Sequence, residues 1–301
     1  MSIERVAIIG LGLLGGSIGL AIAKHAPGIV TTGYDADPAT REAARKRKLA
    51  GTVFDNAAEA VGNADLVILC VPVGAMGFAA EAIRDALPEG AIISDVGSSK
   101  QSVSDTLRAA LPDQCVIPAH PVAGTEQSGP EAGFPELFEH RWCILTPPAG
   151  APEDAVEKLG AFWTNLGSNV ELMDAEHHDL VLAVTSHIPH LIAYTIVGTA
   201  SDLEDVTRSE VIKYSAGGFR DFTRIAASDP TMWRDVFLSN KDAVLEMLGR
   251  FTEDLTALQR AIRRGDGDAL HDLFTKTRAI RRSIIEQGQD DARPDFGRSD
   301  H

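Results

Sequence analysis

A single titratable ring, His120, sits in the segment PAHPVAGTEQSG at residues 118–129. Pro121 biases the histidine towards an extended backbone, and Gly124 and Gly129 favour turns. A loop histidine is ordinarily a solvated surface group. This one ends a predicted strand, where open α/β sheets place their chemistry. With an ordinary pKa of about 6.5, a neutral imidazole can accept a proton at neutral pH. The second chemical signal is Gly10-Leu-Gly12-Leu13-Leu14-Gly15. It follows a predicted strand and opens a predicted helix, the context that gives such a fingerprint meaning. Gly10 makes the tight turn, Gly12 lets the backbone approach a pyrophosphate, and Gly15 lets helix and strand pack closely. Asp35, at the end of the next predicted strand, can accept hydrogen bonds from both ribose hydroxyls and repel a 2′-phosphate. NAD is therefore expected over NADP, although Arg41 could reach an extra phosphate.

These residues need strands and helices to hold them. Strands are predicted at VAIIG (6–10), IVTTGYD (29–35), ADLVILCVPV (64–73) and GAIISDVG (90–97). Later ones are predicted at CVIPAH (115–120), WCILTPP (142–148) and NVELMD (169–174). Helical sequence separates the early ones; GGSIGLAIAK follows the fingerprint, and Asp37-Pro38 supplies a cap and first residue for the next helix. The alternation predicts a Rossmann-like, doubly wound α/β domain over residues 1–173. Three segments should converge beyond its strand ends: the Val71–Pro72 turn beside the nicotinamide ribose, the serines of DVGSSK, and His120.

After residue 174 the strands stop, and an all-α domain is expected over 174–290. Residues 175–203 read as one apolar helical run interrupted only by Pro189. Val244, Leu248, Phe251, Leu255, Leu258 and Ile262 then recur at helical spacing, as do Leu270, Leu273, Thr277, Ile280 and Ile284. With RRGDGD (263–268) as a turn, this predicts two antiparallel helices with coiled-coil-like seams, suited to a homodimer. Residues 291–301 lack periodicity and are expected to be a disordered tail.

Composition sets limits. At 301 residues the chain has the length of about two domains. Its net charge of −15 disfavours nucleic acid and anionic membrane as partners. The start MSIERVAIIG does not read as a signal peptide, and no uninterrupted apolar stretch of about 18 residues predicts a membrane span. Cys70, Cys115 and Cys143 lie far apart without a CxxC pair, which argues against a disulfide framework or a metal site. A reducing cytoplasm is the expected location.

Five segments in order, GLGLLGGSIG, DVGSSK, HPVAGTEQSG, SHIPH (186–190) and GGFRDFTRIAASDPTMW (217–233), together resemble the prephenate and arogenate dehydrogenase family of tyrosine biosynthesis. The resemblance covers nearly all of residues 5–290. It implies NAD-dependent oxidative decarboxylation of prephenate, with arogenate as a further substrate. It implies that His120 is the catalytic histidine and that Ser98 orients it and the substrate. His190 would face the substrate and Ser186 would lie near the cofactor. Arg224 would bind the substrate carboxylate, with Arg220 as a nearby surface competitor. Glu126, Asp221 and Trp233 would hold or border that arginine, and Thr125 would join them at the substrate. No chorismate mutase segment or regulatory domain flanks the matched region, so feedback control by a separate domain is not expected.

Other readings remain open at this point. An arogenate-preferring enzyme would want a carboxylate for the substrate ammonium, and Glu126 is available unless Arg224 occupies it. A β-hydroxyacid dehydrogenase would need a lysine at the chemical step, with Lys100 in a suitable loop. A non-catalytic NAD sensor would have no need for His120, Ser98 and Arg224 together.

Overall fold

The computed structural model describes residues 3–202, 213 and 217–286. Strand β1 (Arg5–Ile9) is buried along Val6–Ile9, as a strand covered on both faces requires. Its alternate residues serve two cores. Val6 and Ile8 pack with Ile18, Ile22, Leu66, Phe138 and Trp163 on one face. Ala7 and Ile9 pack with Val67, Leu69, Met76, Ile83 and Leu107 on the other.

Around β1 lie β2 (Val30–Tyr34), β3 (Thr52–Val53), β4 (Leu66–Leu69), β5 (Ile92–Asp95) and β6 (Cys115–Val116), in the order β3-β2-β1-β4-β5-β6. Every pairing is parallel. The order reverses between β1 and β4, so the crevice at the carboxyl ends of these two strands is the natural ligand position. The connecting helices are α1 (Leu13–His25), α2 (Pro38–Arg47), α3 (Ala57–Val61), α4 (Met76–Ile83) and α5 (Gln101–Ala110). Asp37 caps α2, accepting from the amides of Ala39 and Thr40, with Pro38 in the first turn.

The segment 115–120 departs from the sequence reading. It is two strands, split at Pro118, which has no N–H to donate to a ladder. β6 ends the parallel sheet. β7 (Ala119–Pro121) turns away and pairs antiparallel with β8 (Trp142–Leu145), which pairs in parallel with β9 (Asn169–Leu172). The later predicted strands therefore build a separate three-stranded sheet, backed by α6 (Glu153–Asn165). His120 enters at the junction of the two sheets.

The long helical run is also in parts: α7 (Ala175–Leu182), a π-helical turn over Ala183–His187, and α8 (Ile188–Ser201). The Ile188 amide reaches back to the Ala183 carbonyl. Pro189 can donate no bond, and the helix opens by one residue around it. By length and mean hydropathy (1.6), Ala175–Ser201 is apolar enough to cross a membrane. One face of the run is nevertheless buried within the protein through His178, Asp179, Leu182, Ala183, His187 and Ala193. Residue 203 lies outside the described residues.

The helices α9 (Gly217–Thr223) and α10 (Pro230–Ser239) follow, with a 3-10 turn at Arg224–Ala227 between them. Then come α11 (Lys241–Arg264) and α12 (Gly267–Glu286). Gly265, at φ +67°, makes the turn between them, and Asp266 accepts from the Ala269 amide at the start of α12. The chain divides into two compact units, Met1–Leu245 and Glu246–His301. In the second, the seam positions Leu255, Ile262, Leu273 and Ile280 are 41–65% exposed. The side chain of Ile284 and the expected tail at 291–301 lie outside the described residues.

Candidate active site

The glycine fingerprint is built as its spacing predicts. Gly10 adopts φ +100°, and a Cβ there would lie 2.5 Å from the Cys70 carbonyl oxygen. At Gly15 a Cβ would lie 1.9 Å from the Gly10 carbonyl oxygen, so only glycine lets α1 approach β1 this closely. Gly12 differs: a Cβ would meet nothing within 4 Å. Its missing side chain thus faces open space, as a ligand approaching the backbone requires. Gly12 is also the N-cap of α1 and supplies no side-chain cap. The amides of Leu13, Leu14 and Gly15 therefore have no partner within the helix and carry its partial positive charge. A pyrophosphate fits this end of the helix.

Asp35 closes the far side of this cradle. Its carboxylate accepts from the Leu11 amide at 2.8 Å and the Asp37 amide at 2.9 Å, which fixes its orientation. Arg41 is turned away from phosphate duty. Its guanidinium donates to the carbonyls of Asp35 and Ala36, pairs with Asp55 at 2.9 Å, and lies over the Tyr34 ring. The residues fit a dinucleotide with a free 2′-hydroxyl. Val71 and Pro72 follow β4 at the switch point, and the next residues pack against α10: a Cβ on Gly74 would lie 2.6 Å from Asp235 Oδ2.

His120 lies in β7, 7% exposed. The residue before it is clamped. The Ala119 amide donates to Asp95 Oδ1 at 3.2 Å, and its carbonyl accepts from Lys100 Nζ at 2.7 Å. Lys100 and Asp95 form an ion pair that is fully buried. Burial pushes the lysine down and the aspartate up, each opposed by attraction to the other. Lys100 is thus a structural group sealed beneath the site, which disfavours a lysine-dependent β-hydroxyacid mechanism.

The His120 ring is held from one side. Its Nδ1 lies 2.8 Å from His178 Nε2, and His178 Nδ1 lies 2.8 Å from Asp179 Oδ1. The same carboxylate accepts from the amides of Lys100 and Gln101 at 2.7 and 3.0 Å, capping α5 from a distance. His120 Nε2 has no hydrogen-bond partner among the described residues. Burial, followed by repulsion from His178, Lys100 and His187, holds the His120 pKa well below the ordinary histidine value. The ring is neutral at pH 7.

Sequence reasoning missed His178 and Asp179. Their signal is present in AEHHDL, two histidines and an acid opening an otherwise apolar helix, but a polar first turn is common. Ser98, expected to orient His120, is half-buried, and no hydrogen bond joins it to that ring. Orientation comes from His178.

A second set lies further along. His187 is buried, accepts from Asn240 Nδ2 at its Nδ1 (3.1 Å), and is pushed by burial to about 4. His190 is half-buried; its Nδ1 donates to the Ser186 carbonyl at 2.9 Å. Trp233 stacks on it at 3.7 Å between ring centroids. Burial lowers the His190 pKa, and the charge of Arg224 adds to that. Arg224 donates from Nη1 to Glu126 Oε2 at 2.8 Å, joining the 3-10 turn to the HPVAGTEQSG loop. Glu126 is therefore occupied. Thr125 is exposed and accepts from the Gln127 amide. Arg220 pairs with Asp221 at 3.5 Å and is 62% exposed against 58% for Arg224, so the two differ in partner and not in exposure. The structure thus links His120 to His187, His187 to His190, and His190 to Arg224 as electrostatic neighbours.

A proton acceptor, a stacked histidine and a guanidinium beside a dinucleotide cradle suit hydride removal from a small carboxylate-bearing alcohol. Comparison with known proteins bears on this reading. The prephenate dehydrogenase nucleotide-binding domain matches residues 18–172, and the prephenate dehydrogenase dimerization domain matches 174–276. The cyclohexadienyl dehydrogenase of Zymomonas mobilis is 45% identical over 281 residues, spanning 93% of this chain and 96% of its own. The prephenate dehydrogenase of Bacillus subtilis is 34% identical, over 92% and 75% respectively. A crystal structure of prephenate dehydrogenase from Aquifex aeolicus, in complex with hydroxyphenyl propionate and NAD+, superposes with a TM-score of 0.88. It is 32% identical and covers 94% of this chain and 99% of its own. With both halves matched and identity sustained over nearly the whole length, the chain belongs to the prephenate dehydrogenase family.

Proposed function

We propose that this protein is an NAD-dependent cyclohexadienyl dehydrogenase of tyrosine biosynthesis. It converts prephenate to 4-hydroxyphenylpyruvate and takes arogenate, which would yield tyrosine, as a second substrate. The observation that carries the reading is His120: a buried, neutral imidazole with an unengaged Nε2, at the edge of the domain that bears the dinucleotide cradle. The substrates are cyclohexadienes with a hydroxyl on C4 and a carboxylate on the opposite ring carbon. When that carbon loses carbon dioxide and C4 gives up its hydride, the ring becomes aromatic, so the step is strongly downhill. The protein has to position the substrate and accept one proton.

His120 Nε2 accepts the C4 hydroxyl proton as the hydride leaves and returns it to the phenolate oxygen that loss of carbon dioxide produces. Arg224 supplies the bidentate donor that a carboxylate needs in a protein of net charge −15. His190, held by Ser186 and Trp233, lines the pocket, with Thr125 and Glu126 at its rim and Ser98 beside the histidines. Gly10, Gly12, Leu13, Leu14, Gly15 and Asp35 hold the dinucleotide, with Val71, Pro72 and Ser186 along its nicotinamide end. Bound NAD supplies the hydride acceptor. The pairing of Glu126 with Arg224 favours the keto side chain of prephenate over the ammonium of arogenate, because the carboxylate that could hold an ammonium is already engaged.

The division of labour falls near residue 173, with nucleotide binding before it and substrate binding and homodimerisation in 174–290. The cytoplasm is the proposed location. The test is His120→Asn. Turnover should fall by roughly 10²- to 10⁴-fold, the usual contribution of a positioned base, while NAD titrates as in the parent protein. Unchanged turnover refutes the role of His120. Because burial depresses its pKa, the acid limb of kcat/KM in the parent should lie below pH 6.5. Initial rates with prephenate and arogenate rank the two substrates.

A further inference from the structure

We infer that His178 and Asp179 are a positioning dyad that locks His120 in the Nδ1–H tautomer, leaving the lone pair of Nε2 to face the substrate hydroxyl. The inference rests on His120 as the proton acceptor and explains how that nitrogen is kept ready. The argument is a count of donors along three side chains. Asp179 accepts from two backbone amides at the start of α5 and is an acceptor towards His178 as well. At 2.8 Å the facing His178 Nδ1 must then carry the hydrogen, since two lone pairs at that distance repel. Neutral His178 has only one N–H, so its Nε2 is bare. Across the next 2.8 Å, His120 Nδ1 must donate. His120 Nε2 is the remaining position, and in a neutral ring it carries no hydrogen.

The reverse order would place a hydrogen on His120 Nε2 and abolish its use as an acceptor. It would need either opposed lone pairs at Asp179 or a charged His178. Burial lowers the His178 pKa, with hydrogen bonding to Asp179 opposing, so charge on that ring is disfavoured. The other charged or titratable groups near His120 are Lys100 and Asp95, paired with each other beneath it, and His187 on the π-helical turn. None of them makes a hydrogen bond to its ring. Orientation of His120 therefore rests on His178, and orientation of His178 rests on Asp179. Both lie in α7, while their target is in β7.

The decisive measurement needs no cofactor. In ¹⁵N-histidine-labelled apoprotein at neutral pH, the resonances lost in His120→Asn identify His120. Its Nε2 should show the shift of a bare nitrogen and its Nδ1 that of an N–H. A protonated Nε2 overturns the inference. His178→Leu should expose the other tautomer and lower kcat by about tenfold or more, short of losing the base altogether, with NAD affinity and substrate KM nearly unchanged. His178→Gln, whose amide can accept from His120 and donate to Asp179, should recover most of the lost kcat. A Gln variant no better than Leu, or a Leu variant within about twofold of the parent, also overturns it. Should a variant fail to fold, the tautomer in the parent protein still decides. Should His120→Asn retain activity while the tautomer is as expected, the catalytic reading fails and the dyad stands.

Discussion

The role proposed for Arg224 needs a guanidinium of fixed direction, and its ion pair with Glu126 at 2.8 Å supplies one. The pair is largely exposed, so its worth lies in direction and not in stability. Removing the side chain removes a charge-assisted contact worth about 1.5–3 kcal/mol. Arg224→Ala should therefore raise the substrate KM roughly 10- to 100-fold with little change in kcat; a normal KM in steady-state assays would take Arg224 out of the substrate site. Residue by residue, legibility followed local constraint. His120 could be singled out because it ends a predicted strand, where open α/β sheets place their chemistry. Asp37 and Pro38 could be found because capping is local. His178 could not, because its value arises only when β7 turns out of the parallel sheet and brings position 120 to α7. The pairing of Lys100 with Asp95 was hidden for the same reason: burial of both is a tertiary fact.

At the scale of elements, the fingerprint separates two jobs that the word glycine hides. Gly15→Ala would put a Cβ 1.9 Å from the Gly10 carbonyl oxygen, so β1 and α1 must part. Gly12→Ala meets nothing in the protein. Thermal unfolding should show Gly15→Ala strongly destabilised and Gly12→Ala close to the parent. Calorimetric NAD titration should show Gly12→Ala weakened by about tenfold or more, since a methyl group would occupy the phosphate's approach. A Gly12 variant that binds NAD normally would place the pyrophosphate elsewhere. Strands β1, β2, β4 and β5 were legible from apolar runs and alternation with helices; the two-residue β3 (Thr52–Val53) was not. The split of 115–120 was not, because strands of two and three residues on either side of Pro118 give no periodicity to count. The π-helical turn was half legible: Pro189 marked a disruption, but its size depends on which carbonyls the neighbouring amides can still reach.

For the whole molecule, the unclosed seam of α11 and α12 is the main feature. Leu255, Ile262, Leu273 and Ile280 repeat at helical spacing yet stand exposed, and the first three fall within the matched dimerization domain, which ends at residue 276. Leu255→Glu combined with Leu273→Glu should convert a dimer to a monomer in sedimentation velocity, while Met1–Leu245 keeps its fold. A parent protein that sediments as a monomer would contradict the dimer. The periodicity was readable along the chain; that the stripe stays uncovered was not, since period alone does not reveal what closes it.

The uncapped start of α1 has a consequence for traffic into the site. With amide dipoles and one arginine as the attractive elements, and a net charge of −15 over the whole chain, a dianion is opposed over most of its approach. Attraction takes over only within the last few ångströms, well inside the screening length of about 8 Å in physiological salt. Selection is then made at close range, by shape and donor placement, and a negatively charged metabolite that lacks the right outline finds nothing at the site to offset the repulsion met on the way in.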